Sequence, residues 1–147
     1  MFKKMVVPVD GSEHALKAVD AAVDLAAKYG SEIHLVNVAR RAKYVGDIDR
    51  FAQSEYRQAG SSFVSDELAK SILENAKTRA RQAGKADVKT EMREGNVARG
   101  IVDFAEEIGA DAIVMGCRGL GDIDSLLLGS VSHKVSSLAA CSVLVVR

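Results

Sequence analysis

Apolar positions along this chain alternate between short continuous runs and helical spacing. Residues 5–9 (MVVPV) are a run that stops at Asp10-Gly11, the pattern of a strand buried on both faces. Ser12 can cap the helix that follows. Ala15, Leu16, Val19, Ala22, Val23, Ala26 and Ala27 recur on one face, and Gly30 supplies the stop. Residues 33–38 (IHLVNV) predict a second strand. A polar stretch over about residues 40–62 has no apolar period and is read as a variable, mobile loop. Val64, Leu68, Ile72, Leu73, Ala76 and Ala80 then mark a helix ending near Gly84.

Residues 88–93 predict a third strand, less apolar than the others and so nearer a sheet edge. Asn96 caps a helix with Val97, Ile101, Phe104, Ala105 and Ile108 on its buried stripe. Residues 112–115 are another buried strand, a helix begins near Ser130, and residues 143–146 form the last strand. Alternating strands and helices predict one domain over residues 1–147, an α/β fold of three α/β/α layers, doubly wound on a five-stranded parallel sheet, and the order supposed for it is 3-2-1-4-5. In that order the strands ending at Val9-Asp10-Gly11 and Met115-Gly116 flank the switch point, where such sheets bind ligands.

Composition changes little. Apolar residues make up 48% and charged ones 27%, ordinary for a globular chain, and a net charge of zero argues against bulk nucleic acid or an anionic membrane as partner. No apolar run is long enough to span a bilayer, and Lys3-Lys4 precede too short an apolar segment for a signal peptide. Cys117 and Cys141 lack metal-ligand spacing, which fits a reduced, cytoplasmic protein.

The chemistry concentrates in residues 116–134, GCRGLGDIDSLLLGSVSHK. Gly116 follows a buried strand, and Gly129-Ser130 open a helix, whose N-terminus favours an anion. The N–H groups of Gly119, Gly129, Ser130 and Val131 are expected to converge on phosphate, with glycines admitting its oxygens. The competing reading is a long turn whose glycines serve only positive φ. The P-loop pattern GxxxxGK[ST] and the dinucleotide pattern GxGxxG are both absent.

Here the chain resembles the universal stress protein family. Gly116-(two residues)-Gly119-(nine residues)-Gly129-Ser130 matches that family's ATP-binding motif, and both ends, MVVPVDGSEHA and LLLGSVSHKVSSLAACSVLVVR, are similar to the family's. The resemblance implies an adenine nucleotide alpha hydrolase-like fold binding ATP (or AMP or ADP) with Mg²⁺. It implies that Pro8, Val9 and Asp10 line the crevice, with Asp10 near the ribose, and that Val38 offers backbone groups to the adenine edge. Met115, Gly116 and Gly119 would approach the ribose and phosphates, while Gly129, Ser130, Val131 and Ser132 hold the phosphate chain. It further implies a stress-response regulatory protein, a homodimer paired through residues 143–146, and a regulatory protein partner of unknown identity.

The chain departs from the family at Cys117, where many relatives have Ser or Thr, and at Ser142, where many have Pro. Asp122 and Asp124 add negative charge to the loop, costing roughly 0.4 kcal/mol per charge pair at about 10 Å in water. Other features read as structural: His34 as packed within a strand, His133 as a solvated helix residue, Cys117 as a small buried loop residue with a redox-sensitive thiol as the sharper option. His14, His34 and His133 do not form a metal set. Arg40-Arg41-Ala42-Lys43 reads as a charged loop. A slow ATPase or autophosphorylating protein, with Ser130 or Ser132 as acceptor, and a nucleotide-free dimerisation module are the alternative functions.

Overall fold

The computed structural model describes residues 1–40, 54–118 and 128–147, the side chains of residues 54–65 excepted. The chain runs β1 (Lys4–Pro8), α1 (Glu13–Tyr29), β2 (Glu32–Ala39), α2 (Ser54–Gln82), β3 (Lys89–Glu94), α3 (Val97–Glu107), β4 (Ala112–Gly116), α4 (Ser130–Leu138) and β5 (Ser142–Val146). The strands form one parallel sheet, as the alternation of elements predicts, and its order is the expected β3-β2-β1-β4-β5.

Strand period explains the two cores. Met5 and Val7 of β1 point to one face, where they join Ile33, Leu35 and Val114 beneath α1 and α2. Val6 points to the other, with Val36, Ile113 and Met115 beneath α3 and α4. A central strand buried on both sides must be apolar at every position, which is why β1 carries no alternation. β3, at the edge, pairs among the described residues only with β2 and is half to fully exposed along its length.

The expected caps form. The Ser12 hydroxyl oxygen accepts from the Ala15 N–H at 3.2 Å, and Asn96 Oδ1 accepts from the Arg99 N–H at 3.0 Å. Gly30 ends α1 at φ 69°, a left-handed conformation that glycine adopts without steric cost.

Helix α2 departs from expectation. It begins at Ser54, so residues 54–62, read from the sequence as loop, are helical; residues 41–53 lie outside the described residues. The first turns of this helix carry few apolar residues, so they have helical backbone without a helical period in hydrophobicity. Leu68, assigned to the buried stripe, is 60% exposed; the stripe is Ala69, Leu73, Ala76 and Ala80. Arg79 fastens α2 to α1 with two hydrogen bonds to the Asp20 carboxylate, 2.8 and 2.6 Å, and that contact lowers the Asp20 pKa. Among the described residues no helix is long and apolar enough to cross a membrane.

Candidate functional site

Because β1 lies beside β4, their carboxyl ends open onto one cavity of about 540 Å³. Pro8, Val9 and Asp10 line it from β1, Val38 from β2, and Met115 and Gly116 from β4. Gly129, Ser130, Val131 and Ser132 line it from the start of α4. Gly119, Asp122 and Asp124 lie outside the described residues. Further lining comes from Val36, Val97 and Ile101, which periodicity assigns to core or helix stripe, and from Arg40, Cys117 and Arg118.

At one end of the cavity stands the N-terminus of α4. Its N-cap is Gly129, which has no side chain to satisfy the first-turn N–H groups. The first helical bond runs from the His133 N–H to the Gly129 carbonyl at 2.9 Å. Among the described residues the preceding N–H groups, of Ser130, Val131 and Ser132, have no partner, and they stand at the positive end of the helix dipole. Two expectations change here. The Gly129 N–H is taken by the Cys117 carbonyl at 2.8 Å and does not join an anion nest. The Ser132 hydroxyl, 2% exposed, is shared between the carbonyls of Cys117 (2.9 Å) and Gly129 (3.0 Å), so it closes the loop instead of facing the cavity. The half-buried Arg118 adds a cation to the lining, and its Nε has no hydrogen-bond partner among the described residues.

The two described glycines of the motif, Gly116 and Gly129, do not serve positive φ. Gly129 has φ −61°, and Gly116 is not among the positive-φ glycines. A Cβ on Gly116 would lie 2.7 Å from the backbone carbon of His14 and 2.8 Å from its Cβ and carbonyl oxygen. Gly116 is glycine because α1 rests directly on the end of β4, a helix–strand contact that the spacing alone does not reveal.

The other end is built from β2. The Val9 N–H donates to the Val36 carbonyl at 2.9 Å, while the Val9 carbonyl accepts from buried Asn37 Nδ2 at 2.8 Å. Backbone groups alternate sides along a strand, and Ala39 turns its carbonyl toward Gly95 beyond β3. Val38 therefore directs its N–H and carbonyl to the β1 side, past the point where β1 ends. Asn37 has taken the acceptor that the next rung would use. Gly100 of α3 admits the Val38 side chain, since a Cβ there would meet Val38 Cγ1 at 2.8 Å. Neither Asn37 nor Gly100 stood out in the sequence; a polar residue inside an apolar strand was the available signal for the first.

Asp10 lines the cavity and also makes a turn contact, in which Oδ1 accepts from the Ser12 N–H at 2.9 Å. His34 is buried, hydrogen-bonded to Glu32 and edge-on to Phe104, as expected of a packed strand histidine. His133 is on the exposed side of α4. His14 is not solitary: its Nδ1 lies 3.5 Å from the Cys117 Sγ. Among the described residues no three His, Cys, Asp or Glu side chains converge as a metal site.

The model of the universal stress protein family matches residues 1–147. The chain belongs to that family. It is 39% identical to "Universal stress protein YxiE" of Bacillus subtilis, with all of both chains covered. It is 35% identical to "Universal stress protein MJ0531" of Methanocaldococcus jannaschii, covering all of this chain and 83% of the relative. Among solved structures, the hypothetical protein MJ0577 superposes with a TM-score of 0.80 at 29% identity, covering 99% of this chain and 96% of that one. A universal stress protein crystallised in complex with cAMP superposes at 0.71 with 30% identity, covering 99% and 97%. The universal stress protein fold thus accounts for every described element of this chain.

Proposed function

We propose that the cavity binds an adenine nucleotide and that the protein is a nucleotide-dependent regulator of the stress response. The observation that carries this reading is a helix N-terminus capped only by glycine, opening into a cavity beside an arginine nitrogen that has no partner among the described residues. Phosphate oxygens would take the N–H groups of Ser130, Val131 and Ser132 and the Arg118 guanidinium. The ribose hydroxyls would donate to Asp10, and the adenine edge would pair with the backbone of Val38. The cavity volume is of the size that holds drug-sized ligands. The cAMP complex of a relative supports an adenylate as the ligand class.

ATP with Mg²⁺ is the form we favour. Magnesium keeps most of its shell as water and phosphate oxygen, so one or two protein oxygens, from the Ser130 hydroxyl or Asp10, suffice. Asp10 is the only carboxylate among the described lining residues, and one of its oxygens is held by the turn. That favours holding the nucleotide over hydrolysing it. Ser132 is too buried to act as a phosphoryl acceptor, which leaves Ser130 for any autophosphorylation. In this reading the 147 residues work as one cytoplasmic domain, paired as a homodimer and read by a regulatory protein partner.

The test is Ser130→Pro. Proline is favoured at the first helical position, and Gly129 at ψ 160° is already in the conformation proline demands of its predecessor. The variant loses one N–H and one hydroxyl while keeping the helix; Ser130→Ala isolates the hydroxyl. Calorimetry with ATP should show about a 10- to 100-fold weaker affinity for Ser130→Pro, the size of a hydrogen bond to a charged group, at an unchanged melting temperature. Wild-type affinity in that variant overturns the placement of the phosphates. A wild-type protein silent toward ATP, ADP, AMP and cAMP would leave the nucleotide-free dimerisation module.

A further inference from the structure

Cys117 occupies the point where three parts of the fold meet. Its N–H donates to the Val146 carbonyl of β5 at 2.8 Å, and its carbonyl accepts from Gly129 and Ser132 at the start of α4. Its side chain is 6% exposed, lies against His14 Nδ1 at 3.5 Å, and Cys117 lines the nucleotide-sized cavity. His14 is on the first turn of α1, where its backbone lies close against Gly116. A thiol within reach of an imidazole is the arrangement that makes sulfur nucleophilic, because the ring can take its proton; His14 stands behind Cys117, outside the cavity lining.

We propose that Cys117 and His14 form a thiol-modification site, open to small disulfides that enter through the cavity. The chemistry balances as an exchange. His14 accepts the thiol proton and the Cys117 thiolate attacks one sulfur of the disulfide. The S–S bond breaks, a mixed disulfide forms on Cys117, and the departing thiolate leaves as a thiol with the proton held by His14. Cys117 is oxidised and the released half of the reagent is reduced. The adduct occupies the cavity, so modification and ligand compete for one space; this last point rests on the nucleotide reading above.

Cys141 is the internal control. It is half-buried at the start of β5, and burial, with the charges of Asp111 and Glu106 nearby, pushes its thiol pKa up. Native protein is treated with hydroxyethyl disulfide, and the adduct on each cysteine is followed by mass spectrometry of peptides. Cys117 should react about tenfold or more faster than Cys141. His14→Gln and His14→Asn, which keep the backbone at Gly116 but cannot take a proton, should bring Cys117 down to the Cys141 rate, with melting curves like the wild type. Equal rates at the two cysteines, or Cys117 reacting at the wild-type rate in both His14 variants, overturn the proposal. So does a Cys117 rate that climbs with low urea, the mark of reaction through unfolding. Saturating ATP should slow Cys117 alone. A His14-dependent reaction indifferent to ATP keeps the thiol site and removes the nucleotide from this cavity. Failure of the thiol site leaves the Ser130→Pro experiment to decide the nucleotide.

Discussion

Replacing one hydrogen of Gly116 by a methyl group drives a carbon into the His14 backbone at 2.7 Å. Main chain cannot rotate aside as a side chain can, so Gly116→Ala should cost about 2–3 kcal/mol in urea unfolding, as overpacking does in a tight interior. A stability like the wild type, with only ligand affinity lost, would return Gly116 to the purely ligand-facing role that its motif position suggests. Glycine spacing in the sequence marks where backbone comes close to something, but not what that something is. Here one glycine faces a helix and another caps one. Asn37 teaches the converse. Its amide closes a buried hydrogen bond to the Val9 carbonyl across 28 positions of sequence, a partner that no local pattern exposes.

At the scale of elements, patterning was most informative where burial is two-sided or strictly periodic. β1, β4, α1 and α3 were legible because every inward position is apolar. The start of α2 was not, since its early turns have helical backbone without an apolar stripe. The side-chain link that reinforces the β2–β3 ladder escaped for a different reason: it is electrostatic. Glu32 is held down to about 2 from the ordinary 4.5 by hydrogen bonds from Lys89 (2.9 Å) and then His34. A carboxyl depressed in the folded state stabilises above its unfolded pKa, and that contribution fades as pH falls through the folded value. The urea midpoints of wild type and Glu32→Gln should differ at neutral pH and converge between about pH 5 and about pH 2. A gap that is constant over that range would show that the carboxylate's charge does not matter to the fold. Both side chains are well exposed, and surface screening keeps the neutral-pH difference small.

For the whole molecule, the strand order decides what is left uncovered. β5 ends the sheet beyond β4, and it presents Leu144, 43% exposed, on an edge that pairs with no other strand among the described residues. Exposed apolar edges invite another strand, and a second copy of β5 is the partner we expect. Leu144→Lys should turn a dimer into a monomer by light scattering at micromolar concentration without lowering the melting temperature of the domain. A wild-type monomer, or a dimer untouched by the substitution, would rule the edge out as the seam. The parallel, doubly wound sheet followed from the alternation of strands and helices, and the place of the cavity from the order supposed for it, whereas the division of labour among its lining residues needed three-dimensional contacts.

The meeting of α1 with β4 also fixes how this cavity can diversify. On that side its boundary is main chain against main chain, which no single substitution can reshape without moving a helix. Across from it, Val38, Val97 and Ile101 present replaceable side chains. Changes in what the crevice admits therefore have one permissive flank, and trimming or enlarging those three aliphatic residues is the route by which selection, or a protein engineer, would retune its appetite for one small molecule over another.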